Sequence, residues 1–237
     1  MNGKSYWRAG ALAILAVALA MPSVASAGSK VSGKVSLEGT PPKRKRIRMD
    51  ADPVCAAAHD EPVLSEEVVV GEGSGLQNVF VYVKDVKGDF PPPGDPVVIN
   101  QNGCHYEPHV IGLQVGQPLQ ILNSDKTLHN VHGMPKVNAG FNFAMPKFVK
   151  KKEHEFESPE TMVAVKCDVH PWMNAYIGVL PHPFFAVTGP DGTFEIDGLP
   201  PGEYTIEAWH ETLGTQEGKA KVAADGTATV DFTFKAS

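Results

Sequence analysis

The sequence predicts an all-β protein made of two β-sandwiches in series. Three observations carry that prediction. The chain holds 20 Pro and 23 Gly in 237 residues, punctuation too dense for long helices. Between Val97 and Leu180 no stretch sustains a 3.6-residue apolar period. What recurs instead is short apolar runs separated by turn residues. A hydrophobic fraction of 42% with 20% charged residues suits a folded protein and excludes a disordered or collagen-like one. The net charge of −6 gives no sign of nucleic-acid binding.

The first residues read as a leader. Lys4 and Arg8 form a basic start, Ala9 to Ala20 is an unbroken apolar and small run, and Ala25-Ser26-Ala27 offers a cleavage site, with the cut expected after Ala27. The apolar run falls short of the ~20 residues that span a bilayer. The expectation is therefore a periplasmic or secreted protein, not membrane-spanning. Export decides how Cys55, Cys104 and Cys167 read, because an oxidising compartment pairs exposed thiols or gives them to a metal. Cys167 stands apart by its neighbours, which leaves Cys55 with Cys104 as the expected disulfide. The alternative is three free, buried thiols.

Residues 28–96 form a β-rich N-terminal extension. Val31 to Leu37 alternates as a half-buried strand does, Thr40-Pro41-Pro42 ends it, and Val79 to Val83 is a second strand before Pro91-Pro92-Pro93-Gly94. The run Lys43-Arg44-Lys45-Arg46-Ile47-Arg48 reads as a solvated face, with a docking patch for an acidic partner as the lesser alternative. Residues 97–180 carry strands at Val97 to Ile99, Leu113 to Val115, Leu119 to Leu122 and Met162 to Val165. Residues 181–237 read as consecutive hairpins: Phe184 to Thr188 with Thr193 to Ile196 around Gly189-Pro190-Asp191-Gly192, then Tyr204 to Trp209, then Lys219 to Val222 with Thr227 to Phe234 around Asp225-Gly226.

The chemistry concentrates at Cys167-Asp168-Val169-His170-Pro171-Trp172-Met173. A thiol, an imidazole and a thioether fall within seven residues, and His129 lies 38 positions upstream of the cysteine. One Cys and two His with a weak axial Met are the ligands of a type 1 (blue) copper centre, where soft sulfur favours Cu(I) and imidazole serves both oxidation states. Pro171 keeps the segment out of a helix and pushes His170 toward extended geometry, so the ligands fall on a loop. Other readings compete. Cys167 alone could be a buried hydrophobe. Zinc takes Cys and His without a thioether. A binuclear copper site needs a second loop cysteine. A Cys–His nucleophile leaves Met173 and His129 unexplained. The combined pattern favours one copper per chain at His129, Cys167, His170 and Met173.

Residues 97–180 resemble the cupredoxins of the amicyanin and plastocyanin type. The resemblance rests on Tyr106-Glu107-Pro108, Val115-Gly116, Ile121-Leu122-Asn123, His129-Asn130-Val131-His132 and the Cys167–Met173 loop. It implies a Greek-key β-sandwich, the same four ligands, and Asn130 as the residue that ties the two ligand loops together. His132 matches a position that is not a ligand. The family's solvent-side histidine corresponds to His170, beside Trp172. Residues 181–237 resemble the carboxypeptidase regulatory-like or transthyretin-like modules, a smaller Ig-like sandwich, through Gly192-x-Phe194-x-Ile196 and Gly198-Leu199-Pro200-Pro201-Gly202-x-Tyr204. His182 and His210 could meet across its sheet, a structural role being favoured over a second metal.

These features imply an electron-transfer protein that is not an enzyme, with a protein redox partner of the cytochrome c or dehydrogenase class and no nucleic acid. Copper handling and a non-redox surface-binding module are the alternatives. No Gly-x-Ser-x-Gly, paired-carboxylate or phosphate-loop motif points to a hydrolase.

Overall fold

Alternation sorts the side chains. In the strand Leu119–Asn123, Leu119, Ile121 and Asn123 are buried while Gln120 and Leu122 are half-buried, the pattern of a strand with one face on a core. The computed structural model describes Met1 and residues 29–236. Apart from Met1, the leader expected over residues 1–27 lies outside them. The described chain is nearly all β. Its N-terminal part supplies β1 (Lys30–Glu38), the four-residue helix α1 (Pro53–Ala56) and β2 (Phe80–Val83). Then come β3 (Val97–Asn102), β4 (His105–Glu107), β5 (Val110–Gln114), β6 (Leu119–Asn123) and β7 (His129–Met134). β8 (Phe141–Met145), β9 (Lys151–His154), β10 (Glu160–Lys166) and β11 (Asn174–Leu180) follow. The last are β12 (Phe185–Val187), β13 (Thr193–Asp197), β14 (Gly202–His210), β15 (Gly214–Val222), β16 (Thr227–Thr229) and β17 (Phe232–Lys235). Among the described residues no helix is long and apolar enough to cross a membrane.

Two sheets, in the orders β5-β11-β10-β7-β8 and β4-β3-β6-β9, enclose the first core. Ile99, Leu113, Ile121, Val131, Val165 and Ile177 meet there, together with Cys167 and Met173. Two further sheets enclose the second core, where Val35, Val81, Ile196, Ile206 and Phe234 pack.

The second sandwich departs from its expected hairpins. Its turns lie where the sequence places them, but the strands they join do not pair. β12 pairs with β2 and β13 with β1, so the Gly189–Gly192 turn carries the chain from one sheet to the other. The hairpin expected around Asp225-Gly226 is also absent. β15 pairs along its whole length with β14, and β16 and β17 run parallel to β1. The cause is the N-terminal segment. β1 lies between β13 and the β16/β17 pair, and β2 lies between β12 and β14, so both occupy central positions in the module's sheets. Along the chain residues 28–96 read as an extension; in space their strands are the middle of the C-terminal sandwich.

The two sandwiches meet on their outer faces. Phe80, Tyr82 and Phe185 pack against Val110 and Leu180, and Tyr176 meets Trp209 at 5.0 Å between ring centroids. Gly178 makes the approach possible, since a Cβ there would sit 2.4 Å from the Phe80 ring. At the edge of this joint His109 Nε2 lies 2.6 Å from Glu211, with the His109 and Glu211 side chains only 2% and 7% exposed. Its Nδ1 faces Asn174 O and, at 3.8 Å, the half-exposed Glu66. Burial alone would lower the His109 pKa, but Glu211 reverses this and raises it above the ordinary value. The pair's contribution is therefore complete below about pH 6.5 and fades as the pH rises through the higher folded value. Glu211→Gln should cost about 2 kcal/mol at about pH 6 and less in alkaline buffer. Thermal unfolding of both proteins across that range checks it; a pH-independent difference refutes it.

Candidate metal centre

Strand pairing brings the two ligand segments together. β7 and β10 are antiparallel, and their ladder ends at His132 opposite Lys166. The chain beyond Lys166 therefore runs toward the start of β7, where His129 stands. The Cys167–Met173 loop closes on itself: Met173 N–H donates to His170 O at 2.9 Å, Cys167 N–H donates to Met173 O at 3.1 Å, and His170 N–H donates to the Cys167 sulfur at 3.4 Å. Pro171, which has no N–H to satisfy, sits exposed at the turn.

His129, Cys167 and His170 converge, with one donor atom from each lying within 4.8 Å of the others. The two Nδ1 atoms are 2.9 Å apart, and the Cys167 sulfur is 3.8 Å from His170 Nδ1. Exposures of 0%, 1% and 2% for these three residues leave no room for bulk water at the donor atoms. Met173 joins the group through its main chain, and its side chain is buried in the same core.

The outer edges of both rings are held by carboxylates. His129 Nε2 lies 2.8 Å from Asp125 Oδ2, and His170 Nε2 lies 3.1 Å from Asp52 Oδ2. An imidazole that donates its Nε2–H to a carboxylate presents a lone pair at Nδ1, which is how metal-binding histidines are commonly fixed. Two such lone pairs 2.9 Å apart repel unless a cation lies between them. Without a metal that cation is a proton. Burial disfavours a charged His129, but Asp125 and Cys167 outweigh it and hold the pKa up at about 9. His170 goes the other way, pushed down by burial and by the neighbouring His129 against the pull of Asp52. Burial would push the Cys167 thiol up, but the His129 hydrogen bond and backbone N–H groups bring it below its ordinary value, toward the thiolate a soft metal takes. The residues present fit a copper ion.

Asn130 braces the two segments. Its Oδ1 accepts from Asp168 N–H at 2.7 Å and from the Cys167 thiol at 3.3 Å, while Nδ2 donates to Asp168 Oδ2 and Asn142 Oδ1. His132 pairs instead with Asp168 at 2.9 Å. His182 and His210 are used separately. His182 Nδ1 accepts from Phe184 N–H, and His210 Nδ1 accepts from the N–H groups of Thr212 and Leu213. Burial pushes His210 down to about 4, so it is a neutral acceptor in the core.

The surface over the site differs from the one the resemblance implies. His170 is not on the solvent side. The segment carrying α1 covers it, fastened by a Cys55–Cys104 disulfide, and the Cys55 sulfur lies 3.7 Å from His170 Nε2. Trp172, half-buried, lies 5.0 Å from the imidazole by ring centroids, with Nε1–H donating to Cys104 O. Sequence reasoning missed both carboxylates. Asp125, four residues before His129, left a spacing that could have been read; Asp52, 118 residues from His170, left none beyond its place before Pro53.

Known proteins match this chain in parts. A model of the carboxypeptidase regulatory-like domain matches residues 171–235. No curated protein matches. Among solved structures, an oxidised amicyanin variant is similar at 23% identity over 35% of this chain and 81% of that one, with a TM-score of 0.32. A copper-containing nitrite reductase from Thermus scotoductus SA-01 is similar at 22% identity and a TM-score of 0.31, over 41% of this chain but only 25% of its own. The regulatory-like match begins inside the Cys167–Met173 loop and leaves out β1 and β2, which stand at the centre of that module's sheets.

Asn130→Ala should strip Asp168 N–H of its acceptor and cost about 1–3 kcal/mol. The metal-free protein should melt lower while keeping its far-ultraviolet dichroism. An unchanged melting temperature counts against the brace.

Proposed function

We propose that this chain is an exported carrier of single electrons that holds one type 1 copper ion at His129, Cys167, His170 and Met173, and that it is not an enzyme. The observation that supports this most is the convergence of two imidazole Nδ1 atoms and a buried thiol, each ring tied at Nε2 to a carboxylate. Copper bound there would alternate between Cu(I) and Cu(II), taking up or releasing one electron. Cys167 would supply the soft anionic ligand, the two imidazoles would serve both states, and Met173 would supply the weak thioether that sets copper apart from zinc. The loop's internal hydrogen bonds and the Asn130 brace would keep these atoms still as charge changes, the condition for fast exchange.

With His170 covered, the route to a partner runs past Trp172. This indole lines a cleft of ≈ 260 Å³ with Pro171, Tyr106, His105 and Glu66. The partner is a periplasmic redox protein of the cytochrome c or dehydrogenase class, meeting this chain at the Trp172 cleft. The covering of His170 at 2% exposure also favours a second reading, a protein that holds copper rather than passing electrons. Reversible reduction and reoxidation of the bound copper separates the two.

The mature protein should bind one Cu(II) per chain and show the intense visible absorption of a copper–thiolate bond. Cys167→Ala should abolish both; equal, tight binding by wild type and variant in metal analysis would rule the assignment out. Met173→Gln should keep the copper and shift its reduction potential, since the axial ligand tunes it. Trp172→Glu should slow electron exchange with a partner while leaving the copper spectrum nearly intact.

A further inference from the structure

We infer that Asp52 is a positioning residue of the metal centre: it holds His170 in the tautomer that offers Nδ1 to the ion, and α1 with the Cys55–Cys104 disulfide fixes it there. The inference rests on the copper reading of the site and adds a residue that lies far from the ligand loop in sequence.

A helix cap needs one carboxylate oxygen, and Asp52 uses Oδ1 for that purpose, accepting from Val54 N–H at 2.8 Å. Its second oxygen faces inward. Oδ2 accepts from Thr127 Oγ1 at 2.7 Å and from His170 Nε2 at 3.1 Å. The side chain is only 17% exposed, so the contact is sheltered from water. Thr127 lies in the turn between β6 and β7, two residues before His129, so one carboxylate oxygen spans both ligand segments. Asp125 does the same service for the other ring. The two imidazoles thus stand between two carboxylates, with their Nδ1 atoms turned toward each other.

The short helix is the means of delivery. Asp52 caps it, Pro53 opens it with the fixed φ that suits a first turn, and Cys55 in the same turn bonds to Cys104. Cys104 N–H and Gly103 N–H in turn donate to the Asp125 carboxylate. One covalent link therefore places both outer carboxylates against their rings. Residues 50–62 otherwise bury only Cys55, so without the disulfide little apolar contact would hold Asp52 in place.

The test compares the full mature protein with Asp52→Asn and Asp52→Ala. In metal-free protein, nitrogen-15 spectra of the histidine rings should show His170 protonated at Nε2. That signature should persist in Asp52→Asn, whose amide oxygen can still accept, and give way to mixed tautomers in Asp52→Ala. In competition with a chelator, Cu(II) affinity should fall about 10- to 100-fold in Asp52→Ala. Asp52→Asn should lose less affinity but raise the reduction potential, because the lost negative charge favoured Cu(II) over Cu(I). A role confined to capping α1 would lower the melting temperature and leave tautomer, affinity and potential unchanged, and that result overturns the inference. So does wild-type His170 protonated at Nδ1. Should the wild type bind no copper, the copper reading fails by itself, while the tautomer comparison still decides whether Asp52 positions His170.

Discussion

The structure depends on two strands that lie far from their partners in sequence. β1 and β2 are central in the two sheets of the C-terminal sandwich: β1 alone joins β13 to β16 and β17, and β2 alone joins β12 to β14. Both ends of the intervening segment are thereby anchored in one sandwich, and its middle crosses the other. That excursion brings α1 over the ligand loop, where Cys55 bonds to Cys104 across a sequence separation of 49 residues. A link closing a loop of that length removes unfolded-state entropy worth about 4 kcal/mol in the chain-entropy account. The strap, the Phe80–Gly178 contact and the buried His109–Glu211 pair all join the same two bodies.

Burial then dictates the chemistry the site can support. A thiol with a lowered pKa and two imidazoles share a space closed to bulk water, each ring backed by a partly covered carboxylate, and charges so placed must be paired. In the metal-free protein a proton on His129, facing His170 Nδ1, supplies the compensating cation. In the proposed copper protein, His129 would give up that proton when it serves as a ligand. Asn130, the loop's own hydrogen bonds and the two carboxylates hold the donor atoms in place.

The same burial would set the proposed copper centre apart from one that touches its partners directly. In the proposed copper protein, covering His170 would shield the ion from water and small thiols and would lengthen the path to any protein docking outside. Trp172 would shorten that path again, because its large polarizable ring, 5.0 Å from the imidazole, also lines the outer cleft.

The sequence by itself determined what is local. The Cys167–Met173 loop carries three donor types within seven residues, Pro171 excludes a helix there, and period-2 alternation assigns the inward faces of strands such as β6 and β13. Turns were legible too, because Gly and Pro impose them through their own φ preferences. Alternation says which face of a strand is buried but nothing about its neighbour. The Gly189–Gly192 and Asp225-Gly226 turns therefore read as hairpins, although β12 pairs with β2, β13 and β16 with β1, and β15 with β14. The candidate site shows the same division. His129 and the loop announced themselves by residue type and spacing, and Asp125 left a four-residue interval. Asp52 acquires its place over His170 only through the anchoring of β1 and β2 in the other sandwich and through the link from Cys55 to the distant Cys104. Tertiary structure alone decided that His170 is covered, since exposure is set by what packs above a residue and no local pattern encodes it.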